Sequence, residues 1–147
     1  MMLEPKIIGG FEITSFPALG VNGVIAKIDT GAYSGTLHAT DMRENSASDG
    51  SKTLEFYPFG KPELKTICTN YTRKQIRSSN GQLETRYVIT TKLILQGQEY
   101  PITISLADRS AMMKSVLIGR QFLRRYHFVV DVRQGTQYAY AVKETEV

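Results

Sequence analysis

The sequence has a single cysteine, Cys68, and no tryptophan in 147 residues. One cysteine excludes an intrachain disulfide, whereas small secreted proteins usually carry several. No apolar run approaches the ~18 residues of a membrane-spanning helix, and the first sixteen residues lack the basic start and apolar stretch of a signal peptide. These absences predict a cytoplasmic protein without a membrane segment, in which Cys68 is a small core or strand residue.

The chain also lacks internal repeats, low-complexity tracts and proline-rich linkers. Hydrophobic residues make up 41% and charged residues 22%, as in ordinary globular proteins that bury a core. We therefore expect one domain over residues 1–147. The net charge of +4 favours acidic partners. The basic residues concentrate in two stretches: Arg73, Lys74 and Arg77, and Arg120, Arg124 and Arg125.

Motifs for metals and nucleotides are missing as well. The two histidines, His38 and His127, are far apart, and neither belongs to a His-Glu-x-x-His pattern. No Gly-x-x-x-x-Gly-Lys-Ser/Thr phosphate loop is present. We expect no metal and no cofactor, and a packed or hydrogen-bonded role for His38.

Most of what is present is strand-like. Apolar and polar residues alternate over 89–95 and 102–106, and Gln96-Gly97-Gln98 joins the two runs, which predicts a hairpin. A second hairpin is predicted within residues 127–142. The polar stretch 40–52 is rich in turn formers and is interpreted as a surface loop.

One short helix is expected, in "GRQFLRRYH" at residues 119–127. Its Phe122, Leu123 and Tyr126 can share one face while the arginines point to water. Many short strands and one late helix predict an all-β barrel or sandwich.

An Asp-Thr-Gly motif ends an apolar run in "AKIDTGAYSG", residues 26–35. There Thr30 can hold the loop through its hydroxyl, and Gly31 allows backbone or substrate to approach Asp29 closely. The same residues also suit an ordinary turn. Some ninety residues later, "SVLIGRQFL" adds an apolar strand, a glycine and the short helix.

The pair "KIDTGA" and "LIGRQFL" resembles the retropepsin-like aspartic peptidases. With "IRSSNGQLETRYVI" between them, the three blocks are similar to a bacterial branch often labelled ATP-dependent zinc proteases, some members of which are linked to ribosomal protein glutamate ligases. The resemblance covers residues 7–135 and implies a closed barrel of short antiparallel strands with one short C-terminal helix. It implies a catalytic Asp29, with supporting residues Thr30, Gly31, Ala32, Gly119 and Arg120.

The chemistry of aspartic peptidases requires two carboxylates that share one proton. This chain has one Asp-Thr-Gly. We therefore expect a homodimer in which each chain contributes Asp29 and the two carboxylates titrate as a coupled pair.

A flap over the substrate is expected in "RSSNGQLETR", at Arg77, Ser78, Ser79, Asn80, Gly81 and Arg86. The Ser-Ser-Asn-Gly core can form a hairpin tip, and such loops gate many active sites; an ordinary hairpin turn is the alternative. The two arginines favour an acidic peptide, in keeping with the family's link to glutamate addition.

Two departures from viral relatives stand out. Their Gly-Arg arginine pairs with an acidic residue four positions after the catalytic aspartate, whereas this position is Tyr33 here. The partner of Arg120 is therefore open. The interval between the two motifs is also longer, mostly through residues 41–75.

Two other function classes stay open. The first is a retropepsin-like module that binds or dimerises without catalysis. The second is a small basic barrel that binds RNA. Such proteins place stacking aromatic residues among basic ones on a strand, and here only "YAYAVK", with Tyr138, Tyr140 and Lys143, has this pattern. The intact Asp-Thr-Gly favours a peptidase that acts on peptide or protein substrates, acidic or glutamate-rich ones among them, and argues against nucleic acid as a partner.

Overall fold

The structure is a computed structural model that describes residues 4–77 and 80–140. Within these residues the chain is mostly β-strand, which confirms the expected class. The elements are β1 (Lys6–Gly9), β2 (Phe11–Phe16), β3 (Val21–Asp29), β4 (Gly35–Ser46), β5 (Lys52–Pro58), β6 (Thr66–Cys68), β7 (Tyr71–Arg77), β8 (Leu83–Leu95), β9 (Gln98–Ala107), β10 (Val116–Gly119), α1 (Arg120–Arg125) and β11 (Phe128–Asp131), with 3₁₀ turns at Pro17–Leu19, Pro62–Leu64 and Thr136–Tyr138. No helix in the described ranges is long and apolar enough to cross a membrane.

Six strands pair in an order that returns to its start. The order is β10-β3-β2-β8-β9-β4, and β4 pairs again with β10. Strands β5 and β6 continue outward from β4, while β7 pairs with β8 and β1 with β11. The prediction of short antiparallel strands is wrong in part, because β4 and β8 have 12 and 13 residues. The pairs β10–β3, β4–β9 and β1–β11 are parallel.

The hydrophobic core is formed largely by these six strands, with further residues from β1, β5 and α1. The predicted alternation is confirmed: Ile89, Leu93 and Leu95 of β8 and Ile102, Ile104 and Leu106 of β9 are all buried. The predicted hairpin between these strands turns at Gln96 and Gly97, whose φ angles of 51° and 76° match the two-residue turn favoured by twisted strands. Cys68 ends β6 and packs against the core as predicted.

The predicted surface loop at 40–52 is wrong. Residues up to Ser46 continue β4 and Lys52 begins β5, so that only the turn between them is loop. The outer part of β4 is polar because cross-strand polar contacts, such as Arg43 Nη2 to Glu55 Oε2 at 3.0 Å, replace apolar burial there. This part of the chain thus extends the sheet.

The second predicted hairpin is also wrong within the described residues. Its first run forms β11, which pairs in parallel with β1 at the start of the chain. Its second run begins as the 3₁₀ turn Thr136–Tyr138, and residues 141–147 lie outside the described residues. Val129 and Val130 of β11 therefore pair with Ile7 and Ile8 of β1 instead of with a neighbouring strand of a local hairpin.

The predicted helix is confirmed as α1. Phe122 and Leu123 are buried, and Tyr126 packs against the core from the helix end. The helix stops there, and His127 follows with a φ of 60°.

Strand β10 lies between the two strands that the Asp29 loop connects. Gly119 pairs with Asp29 across β10 and β3, while Leu117 pairs with Thr36 of β4. A Cβ atom on Gly119 would lie 2.7 Å from the Tyr33 carbonyl oxygen and 2.7 Å from the Ser34 carbonyl carbon. Only glycine therefore lets β10 and the loop come this close.

Replacing Gly119 with alanine tests this contact. The added methyl meets backbone that cannot rotate away, so we expect Gly119→Ala to lower the free energy of unfolding by about 1–3 kcal/mol in urea denaturation. Gly10→Ala is the matched control, because its Cβ would have only Val132 Cα nearby, at 3.9 Å. Equal stability of the two variants would contradict the predicted contact.

The β7–β8 hairpin extends past the rest of the sheet as an arm. Strand β8 pairs with β9 from Val88 onward, whereas residues 83–87 pair only with β7. Glu44 of β4 ties the base of the arm down, accepting hydrogen bonds from Tyr71 Oη at 2.6 Å and Arg73 Nη1 at 2.8 Å. These bonds lower the pKa of Glu44, and the bond to Glu44 raises the pKa of Tyr71 to about 12.

The Glu44 anchor should make stability depend on pH. A carboxylate with a lowered pKa stabilises the fold above its unfolded pKa, and this contribution is lost as the pH falls through the lowered value. We expect Glu44→Gln to be less stable than wild type in urea at pH 7, with the gap narrowing below the ordinary pKa of 4.5. Glu63→Gln, at an exposed acidic position, is the control. A gap that is constant with pH would exclude the charged anchor.

Candidate active site

Asp29 is the last residue of β3, and its half-buried side chain starts a tight turn. Its Oδ1 accepts the Gly31 N–H at 3.0 Å, and its carbonyl accepts the Ala32 N–H at 3.2 Å. A Cβ at Gly31 would lie 3.2 Å from Asp29 Oδ1, so glycine keeps this side of the carboxylate open. Local sequence thus positions one carboxylate at the surface of the chain.

Thr30 does not hold the loop as predicted. Its side chain is exposed, and its hydroxyl forms no hydrogen bond to any residue the structure describes. The loop is held instead from β10 and α1. The Arg120 N–H donates to the Ala32 carbonyl at 2.8 Å and the Gln121 N–H to the Tyr33 carbonyl at 2.9 Å.

The structure identifies the contacts of Arg120. Its Nη1 donates to the Gly31 carbonyl at 3.2 Å and, more weakly, to the Thr30 carbonyl at 3.5 Å. Its guanidinium carbon lies 5.5 Å from the centre of the Tyr33 ring. Tyr33 thus contacts the arginine through its aromatic ring. Backbone carbonyls supply the acceptors that a carboxylate would offer.

The predicted flap coincides with the end of the arm. Arg77 Nη1 donates to the Gly81 carbonyl at 2.6 Å, and Asn80 Oδ1 accepts the Gln82 N–H at 3.1 Å. Gly81 has a φ of 86°, which favours glycine. The hairpin shape is as expected, and Ser78 and Ser79 lie outside the described residues. A role in covering substrate stays a prediction.

A second cationic residue near Asp29 had no sequence signal. Arg109 lies between β9 and β10 and is half-buried. Burial most strongly, then the nearby charge of Arg86, lowers the pKa of Arg109, whereas Asp29 acts in the opposite direction. The arm residue Arg86 itself bonds to Glu84, with Nη2 2.6 Å from Oε1. Arg86 of the arm and Asp29 of β3 therefore both contribute to the electrostatic surroundings of Arg109.

His38 is packed and hydrogen-bonded, as predicted. Its side chain is buried, its Nδ1 accepts the Arg109 N–H at 2.8 Å, and its ring meets Phe59 edge-on. Within 4–77 and 80–140, no three His, Cys, Asp or Glu side chains are grouped to hold a metal.

The aromatic and basic interleaving considered for RNA does not lie on a strand in the described residues. Tyr138 is in a 3₁₀ turn and Tyr140 is exposed beyond it. Lys143 lies outside the described residues.

Comparisons with known proteins agree with these features. Two relatives are each named "Probable alpha-L-glutamate ligase": one from Shewanella halifaxensis is 33% identical over 119 residues, and one from Desulfotalea psychrophila is 34% identical over 125 residues. The matches cover 78% and 81% of this chain but 26% of each relative. The chain therefore spans about a quarter of the length of these relatives.

A solved structure shares the fold. Lpg0085, a protein of unknown function from Legionella pneumophila, superposes with a TM-score of 0.69 at 22% identity, covering 88% of this chain and 95% of that one.

A family profile matches most of the sequence. It is that of the RimB-like family, described as retropepsin-like aspartic endopeptidase RimB, and it matches residues 7–138. This span includes the Asp29 turn, the arm, β10 and α1. The chain belongs to the RimB-like family of retropepsin-like proteins.

Proposed function

We propose that this chain is an aspartic endopeptidase that acts as a homodimer. The observation that carries the proposal is the exposed turn with one carboxylate, Asp29, held by Gly119 and Arg120 in the arrangement described above. Family membership supports the reaction class. In this reading the ring of six paired strands is the closed barrel of one lobe of the enzyme.

The need for a second chain follows from the chemistry. One ionised carboxylate takes a proton from water while a protonated partner polarises the scissile carbonyl, and two adjacent carboxylates can share one proton in this way. Asp29 is the only aspartate of the chain in an Asp-Thr-Gly turn. A twofold axis beside Asp29 would supply the second carboxylate.

Exposure of the turn supports this arrangement. Thr30, Gly31 and Ser34 are exposed, and Tyr33 is 56% exposed although it is a large aromatic residue. A second copy could approach this face without displacing a buried element.

Acidic or glutamate-rich polypeptides are the proposed substrates. The net charge of +4 and Arg120, which contacts the turn after Asp29, favour anionic ligands. The relatives named as glutamate ligases suggest that the peptidase acts where glutamate is added to proteins.

The first test is cleavage. We expect the purified protein to cleave glutamate-rich peptides between pH 4 and 8, and Asp29→Asn to reduce kcat/KM by at least ~100-fold, because the pair loses the carboxylate that activates water. Mass spectrometry of the products measures this. Asp41→Asn is the control, since Asp41 lies at a bend of β4 and has no Thr-Gly after it.

A chelator distinguishes the mechanisms. If the Asp29→Asn variant still cleaves the peptides, the aspartic mechanism is excluded. The same holds if cleavage is lost only when a chelator is added. A folded, dimeric wild-type protein without any cleavage would instead favour the noncatalytic module.

The second test is subunit mixing. If two Asp29 residues form one site, mixed dimers with Asp29→Asn are inactive, so an equal amount of variant should reduce wild-type activity to about half after random exchange. Wild-type protein mixed with Gly10→Ala, which keeps Asp29, should show the same activity per mole of chain as wild-type protein alone. Wild-type activity that is independent of added Asp29→Asn would mean that each chain acts alone.

A further inference from the structure

A cavity of about 240 Å³ lies between α1 and the β8–β9 sheet, away from the Asp29 turn. The helix contributes Gln121, Phe122 and Arg125 to its lining, and the exposed face of the sheet contributes Thr90 and Thr103. Residues 29–34 of the turn do not line it. Sites for drug-sized ligands measure roughly 300–1,000 Å³, so this cavity suits a single side chain or a small acid.

Tyr126 fixes one wall of the cavity. Its Oη donates to the Pro101 carbonyl at 3.2 Å, which joins the end of α1 to β9. Its ring centre lies 5.0 Å from that of the buried Phe122. Arg125 Nε donates to the Tyr126 Oη at 3.3 Å, and the guanidinium carbon lies 5.6 Å from the centre of the Tyr126 ring. These contacts hold the guanidinium against an aromatic wall.

The cavity has hydrogen-bond donors to spare. Within residues 4–77 and 80–140, the two Nη atoms of Arg125 and the side-chain amide of Gln121 donate to no other residue. Thr90 Oγ1 and Thr103 Oγ1 lie 3.3 Å apart, and because their bond uses one hydroxyl hydrogen, the other remains for a ligand. A ligand that accepts several hydrogen bonds would therefore satisfy this lining.

The charge of the cavity selects for an anion. Arg125 supplies a positive charge, and none of the lining residues that the structure describes is a carboxylate. Further along the same sheet face, Lys92 Nζ and Glu99 Oε1 neutralise each other at 3.1 Å. Phosphate sites commonly use several backbone N–H groups or additional cations. One guanidinium beside two aromatic rings suits a singly charged carboxylate with a hydrocarbon stem better.

We propose that this cavity is a second binding site, which takes a carboxylate on a short aliphatic chain, such as the side chain of glutamate. Arg125 binds the carboxylate, Gln121 and a threonine hydroxyl add hydrogen bonds, and the aliphatic stem packs against Phe122 and Tyr126. The carboxylate belongs either to a residue of an acidic polypeptide or to a small free acid. The site goes beyond the proposed function, because binding here requires no catalysis at Asp29.

An NMR titration tests the site with two blocked amino acids, N-acetylglutamate amide and N-acetylglutamine amide, which differ by one carboxylate. We expect the glutamate compound to shift the signals of Thr103, Gln121 and the Arg125 Nε–H, with a dissociation constant on the order of 1–10 mM for so small a ligand. The glutamine compound should leave these signals in place, because it offers the guanidinium no charge.

Two variants separate charge from shape. Arg125→Gln should weaken binding of the glutamate compound about 10-fold or more, since the charge-assisted contact is lost. Arg124→Gln is the matched control: it has the same change in net charge at an exposed position of α1 that does not line the cavity. Thr103→Phe should abolish binding without a change in charge, because an aromatic ring fits an exposed strand position and fills the space. Circular dichroism checks that each variant is folded.

Two further ligands identify the source of the carboxylate. Stronger binding of octaglutamate than of glutarate, lost in Arg125→Gln, assigns the site to an acidic polypeptide; the reverse order assigns it to a free acid. Asp29→Asn should bind all these ligands as the wild type does, so that a protein that binds them without cleaving any peptide contradicts the proposed function alone.

Four results would overturn the second site. The first is the absence of shifts around Arg125 at tens of millimolar glutamate compound, and the second is equal binding of the glutamine compound. The third is an equal loss of affinity in Arg124→Gln. The fourth is tighter binding of inorganic phosphate than of the glutamate compound, which would exclude a carboxylate as the preferred ligand.

Discussion

The position of β10 between β3 and β4 is the constraint on which the candidate site depends. This short strand pairs with both, and Gly119 touches the backbone of residues 33 and 34, where a methyl group would already overlap. The close approach allows the start of α1 to donate hydrogen bonds to the loop after Asp29. The shape of the turn is therefore determined from ninety residues away, by packing of backbone on backbone.

Arg120 joins the Asp29 turn to the start of α1. The arginine contacts the Tyr33 ring and two loop carbonyls. A guanidinium has several donors in a plane and an apolar face, so it suits both kinds of partner. These contacts bind the turn to the helix.

Residues 41–75 support the arm. They lengthen β4 and build β5 and β6, and the extension carries Glu44 to the base of the β7–β8 hairpin. Sequence reasoning interpreted part of this segment as loop because its strands are polar and lack apolar alternation. In the folded protein, cross-strand hydrogen bonds and ion pairs such as Arg73 with Glu44 stabilise these strands instead.

By itself, the sequence determined the features that depend on near neighbours: the alternation of β8 and β9, the turn at Gly97, the apolar face of α1 and the Asp-Thr-Gly turn. Periodicity and glycine conformation act over a few residues, so they are readable in order along the chain. Only the tertiary structure decided that β11 pairs with β1, that Tyr33 contacts Arg120, and that His38 accepts a hydrogen bond from the backbone of Arg109. These contacts join residues remote in sequence, and nothing in their local pattern encodes the partner.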